Sequence, residues 1–134
     1  MPGIARFAAA IALLLVWGAL PALAQSSPQY RVYFDFQIKN LTSTADDVAA
    51  QAVRDALAQN ATQIELVGHA DTAEKKATAL SLARAKAVKA SLLRHHLPKG
   101  VKVSVAGVGT ADPFVSTGPG AREPLNRFVA VAIH

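Results

Sequence analysis

Hydrophobic and polar positions change period several times along this chain, and each change marks an element. Tyr30 to Phe36 alternates aromatic or branched residues with Arg31 and Asp35, which predicts a strand. Val48, Ala49, Ala52, Val53, Ala56 and Leu57 then recur at helical spacing, with Arg54 and Asp55 turned to water, predicting a helix to about Gln59. Thr42, Ser43 or Thr44 can cap it, and Asp46 and Asp47 lie where carboxylates meet the positive end of the helix dipole. Gln63 to Gly68, with Ile64, Leu66 and Val67, reads as a buried strand. A second helix is expected to begin between Thr72 and Ala77 and to reach about Arg94. Its core face carries Leu80 or Ser81, Ala85, Val88 and Leu92, and Pro98 and Gly100 stop it.

Val101, Val103 and Val105 alternate with Lys102 and Ser104 as a third strand, and Arg127 to Ile133 supplies a fourth. Between them, positions 108 to 126 are rich in Gly, Pro, Thr and Ala and read as a long surface loop. The order strand, helix, strand, helix, strand, loop, strand predicts an α/β two-layer sandwich, with both helices on one face of a mixed four-stranded sheet. No internal repeat or second domain boundary appears.

The first residues read as an address. Arg6 is a positive n-region, Phe7 to Leu20 an apolar core, and Ala22-Leu23-Ala24 a small-x-small cleavage site. The apolar run is shorter than the roughly 20 residues of a spanning helix. Residues 1–24 are therefore expected to be a signal peptide, 25–29 a polar lead and 30–134 one domain, delivered to the periplasm. The sequence has no cysteine, which excludes a lipid anchor on cysteine and disulfide support.

The formal net charge is +5. Basic residues cluster at Lys75-Lys76 and at Lys86, Lys89 and Arg94, but no aromatic residue is interleaved to stack bases, so no nucleic-acid partner is expected. His95 and His96 are adjacent and point about 100° apart on a helix, so no metal site and no cofactor is expected. No Gly-x-Ser-x-Gly or zinc motif occurs, and enzymatic activity is not expected.

Five blocks carry the candidate chemistry. They are Val32-Tyr33-Phe34-Asp35-Phe36, Gly68-His69-Ala70-Asp71, Leu80-Ser81-Leu82-Ala83-Arg84-Ala85, the Gly107 to Pro113 segment, and Leu125-Asn126-Arg127-Phe128-Val129. In this order and spacing they resemble the OmpA-like peptidoglycan-binding domain family, over about residues 30 to 133. The resemblance implies non-catalytic binding of cell-wall peptidoglycan through the diaminopimelate of the stem peptide, in support of envelope integrity. Asp71 would accept from the ligand's ammonium, Arg84 would clamp its carboxylate, and the Thr72 and Ala73 amides would add donors. Asp35, His69, Asn126 and Arg127 are rim or structural positions. Taken singly, Asp71 reads better as a helix N-cap, and Arg84 as a solvent-facing arginine or a salt bridge to Asp71, than either does as a ligand contact; the five blocks together favour the ligand reading.

The chain departs from the family between Asp71 and Arg84. That segment is about two residues shorter than usual and lacks the family's glycine and Tyr-Asn pair, while Ala70 stands where threonine is common. The alternative is thus an OmpA-like protein-interaction domain that has lost peptidoglycan binding and docks to an outer-membrane or envelope protein.

Overall fold

A computed structural model describes residues 28–134. The expected signal segment and most of the polar lead lie outside the described residues. The elements run β1 (Tyr30–Tyr33), α1 (Ser43–Ala58), β2 (Gln63–Gly68), α2 (Ala77–Arg94), β3 (Lys102–Gly107), a short 3-10 turn (Pro124–Asn126) and β4 (Phe128–Ile133). The sheet order is β1-β4-β2-β3. β2 and β3 pair in parallel through the α2 crossover, whereas β4 is antiparallel to both β1 and β2. This is the mixed sheet expected, and its last strand is central.

Each helix packs on the sheet through the predicted face, with one difference. Thr42 is the cap of α1, its hydroxyl accepting from Ala45 N at 3.1 Å. Ala45, Ala49, Ala52, Val53 and Ala56 are buried, but Leu57 is 52% exposed, because it lies one further 100° step round the helix from Ala56. Against this face lie Val32, Ile64, Leu66, Val88, Leu92, Val129 and Val131, each fully buried. Burying a side chain of this size stabilises by roughly 1.5–3 kcal/mol, so the aliphatic layer is the main force holding the sheet to its helices.

β1 is shorter than its alternation predicts. Regular pairing stops at Tyr33 opposite Phe128, although Phe34 N still donates to Arg127 O at 2.9 Å. Beyond that point the backbone turns, and the Asp35 carbonyl accepts from Ile38 N and from the Arg84 side chain. β2 and β3 approach α2 closely at two glycines. A Cβ on Gly68 would stand 1.9 Å from Ser81 O, and one on Gly107 would stand 2.4 Å from Leu82 N. Glycine at both positions lets α2 settle onto the strand ends, and this fixes where Arg84 enters the interior.

Candidate functional site

Arg84 sits three residues beyond Ser81 on α2 and points inward, fully buried. Its Nε donates to Ile38 O at 2.9 Å, Nη1 to His69 O at 3.1 Å, and Nη2 to Asp35 O at 3.1 Å. The two remaining N–H donors go to Glu74, at 2.8 Å from Nη1 to Oε1 and 2.5 Å from Nη2 to Oε2. A guanidinium has five donors, and here every one has an acceptor. Arg84 is neither solvent-facing nor paired with Asp71.

Asp71 is also fully buried and equally saturated. Its Oδ1 accepts from Ala73 N and Glu74 N, both at 3.0 Å; its Oδ2 accepts from Glu123 N and from Arg127 Nη1, both at 3.1 Å. Two buried ion pairs, Arg84–Glu74 and Arg127–Asp71, therefore stand side by side. They are joined because Asp71 N donates to Glu74 Oε1 at 3.0 Å. Such pairs repay their desolvation only when the remaining lone pairs and protons are also bonded, as they are here.

Glu74 is the residue that reading for charge pairs along the sequence misses. It closes a capping box with Asp71, each side chain accepting from the other's backbone N–H. The Asp-x-x-Glu spacing was the available signal. It does not start α2, however. The helix begins at Ala77 behind Lys76, which has φ 51° and no side-chain cap bond. Asp71 is thus a turn cap five residues before the helix cap position. Thr72 and Ala73, expected at the helix start, instead belong to that turn.

The other candidates fall around this cluster. The Thr72 hydroxyl donates to Gly118 O at 2.7 Å and accepts from Ala121 N at 2.9 Å, tying the long loop to the site. Arg127 Nε donates to Phe34 O at 3.0 Å. Asn126 is buried and exchanges two hydrogen bonds with the Val115 backbone, at 2.8 and 2.7 Å. Asp35 contributes its carbonyl, with the residue itself exposed. His69 is 5% exposed and stacks on Phe128 with ring centroids 4.2 Å apart. Burial lowers its pKa, opposed by the Ala111 backbone and the Asp112 charge.

Beside the buried cluster opens a groove of about 770 Å³. Phe36, Ala73, Ala79, Leu80 and Ala83 give it an apolar floor. Lys39, Lys75, Lys76 and Arg122 stand around it, all exposed, with Arg122 stacked over the Phe36 ring at 3.8 Å. Among the described residues no acidic side chain lines it. Gln37 bridges its two walls, donating to Lys75 O and accepting from Lys75 N. A field of one sign over a low-dielectric floor favours an anionic ligand with small apolar groups.

Residues 33–127 match the model of the OmpA family. The chain belongs to that family. A curated relative described as an outer membrane protein, from Gluconacetobacter diazotrophicus, is 36% identical over 113 residues. The alignment covers 78% of this chain and 30% of that protein, so the chain spans under a third of the relative's length. The peptidoglycan-associated lipoprotein from Burkholderia pseudomallei shares the fold with TM-score 0.67 at 20% identity, over 78% of this chain and 89% of that one. The OmpA-like domain of FopA1 from Francisella tularensis gives 0.63 at 17%, over 78% and 73%. The C-terminal domain of Helicobacter pylori MotB gives 0.62 at 15%, over 78% and 85%. At these identities the structural likenesses speak for the OmpA-like α/β sandwich alone.

Proposed function

We propose that this chain is a non-catalytic envelope module that binds cell-wall peptidoglycan through the diaminopimelate of the stem peptide. The observation that carries the reading is the coincidence of an electropositive groove with the Asp71 and Arg84 cluster at the strand ends of an OmpA-family fold. Carboxylates of the stem peptide meet Lys39, Lys75, Lys76 and Arg122, and its methyl groups lie on the alanine floor. The diaminopimelate reaches Asp71 and Arg84, with the turn at Thr72 and Ala73 between them. Periplasmic delivery by residues 1–24 brings the domain to the wall, and the name of the curated relative supports an envelope location.

Charge-assisted hydrogen bonds contribute on the order of 1.5–3 kcal/mol each, which after association costs supports roughly micromolar to millimolar binding. The wall presents its ligand as a dense array, so weak contacts retain a domain held near it. Purified sacculi should pull down the wild-type chain and retain much less of Lys75→Glu/Lys76→Glu/Arg122→Glu. Lys86→Glu/Lys89→Glu, away from the groove, serves as the charge control. Equal retention of all three proteins removes the groove from the reading.

The saturation of both Asp71 and Arg84 favours a second reading, an OmpA-like protein-interaction domain without wall binding that docks to an outer-membrane or envelope protein. Failure of sacculi to retain the wild-type protein decides for it.

A further inference from the structure

Glu74 holds the seat that a ligand carboxylate would take. A guanidinium edge offers two parallel N–H donors to a carboxylate, and on Arg84 that edge is Nη1 and Nη2, at 2.8 and 2.5 Å from the two Glu74 oxygens. The remaining three donors of Arg84 hold the carbonyls of Ile38, His69 and Asp35, which the backbone fixes. Only the Glu74 side chain can leave by turning about its own bonds.

Resting on the wall-binding reading, we infer that Glu74 is a specificity-determining residue, a resident carboxylate that an incoming ligand carboxylate must displace from Arg84. Its place in the chain suits an exchange. Glu74 immediately precedes Lys75 and Lys76, which line the groove with Lys39 and Arg122, so a carboxylate swung outward enters a ring of cations rather than an apolar wall. The exchange keeps the buried guanidinium neutralised throughout, since one carboxylate replaces another. It also releases two backbone donors, because Gln37 N gives to Oε2 at 2.8 Å and Asp71 N to Oε1 at 3.0 Å.

Ligand choice follows from this exchange. A ligand that ends in both ammonium and carboxylate can replace Glu74, whereas one that offers the ammonium alone cannot. Meso-diaminopimelate and cadaverine share the spacing of their two ammoniums, but only the first carries carboxylates, and they are the probes. Glu74→Gln leaves the Arg84 charge uncompensated, so it should bind meso-diaminopimelate at least about tenfold more tightly than wild type, with no gain in cadaverine affinity. A folded Glu74→Gln protein that binds meso-diaminopimelate equally or more weakly overturns the inference.

A measurement on the wild-type protein covers the case in which the variant does not fold. Saturation with meso-diaminopimelate should shift the amide resonances of Gln37 and Asp71, the two donors that lose Glu74. If groove amides move while these two stay still, Glu74 is a fixed structural pair and the displacement idea falls. Wild-type protein retained by sacculi with those two amides unmoved defeats this inference and leaves wall binding intact; no retention defeats both.

Discussion

Asp71 is held by Arg127 and not by Arg84, through a 3.1 Å contact to a carboxylate with no exposed surface. Arg127 also ties the end of β1 through Phe34 O, so one side chain joins the first strand, the last strand and the Asp71 turn. Removing one partner from a buried pair leaves an uncompensated charge, which costs about 3–5 kcal/mol. Arg127→Met should lose stability of that order in urea unfolding. Adding Asp71→Asn should recover part of the loss, and strictly additive effects would show that the two groups are not coupled.

The glycine contacts beneath α2 give a sharper contrast. Gly68→Ala and Gly107→Ala each drive a methyl into the α2 backbone, with no flexible side chain to yield. Each should cost at least about 2 kcal/mol. Gly100→Ala places its methyl where nothing stands within 4 Å and should stay within about 0.5 kcal/mol of wild type. Denaturant midpoints of the three single variants measure this directly.

Asp46 joins the start of α1 to the end of α2. It accepts from Ser91 Oγ at 2.5 Å and Arg94 Nη2 at 3.2 Å, and it pairs with His95 Nε2 at 2.9 Å. The Ser91 hydrogen bond, followed by the His95 contact, holds its pKa below the ordinary carboxylate value. A carboxylate with a depressed folded pKa stabilises fully above its unfolded pKa, about 4, and loses that contribution as pH falls through the folded value. The melting-temperature gap between wild type and Asp46→Asn should be present at pH 6 and close below pH 4.

His69 acts in a separate window. Burial lowers its folded pKa, so the unfolded chain takes up the proton first. Stability linked to this residue is complete above the unfolded pKa, about 6.5, and declines as pH falls from there toward the folded value. His69→Phe keeps an aromatic ring against Phe128 but cannot titrate. Its melting temperature should change less between pH 6.5 and pH 5 than that of the wild type.

Both helices and four strands were legible because their period is carried by residues that end up buried, such as Ala49, Val53, Ile64, Leu66, Val88 and Val131. Strand neighbours were less so, since alternation tells which face a residue takes and not which strand lies beside it. Nothing local in Phe128–Ile133 announces a place between β1 and β2. The same holds for the charges. Asp71 and Arg84 do meet one buried cluster, but with two acids and two arginines inside it the sequence alone leaves their pairing open. Only the Asp71-x-x-Glu74 spacing pointed to the third partner, and it resembles an ordinary helix start.

The central position of β4 makes it the joint of the sheet. β1 and β2 have no direct ladder with each other; each pairs with β4 instead. β1 and the β2–β3 pair therefore remain separate pieces of sheet until residues 128–133 lie between them.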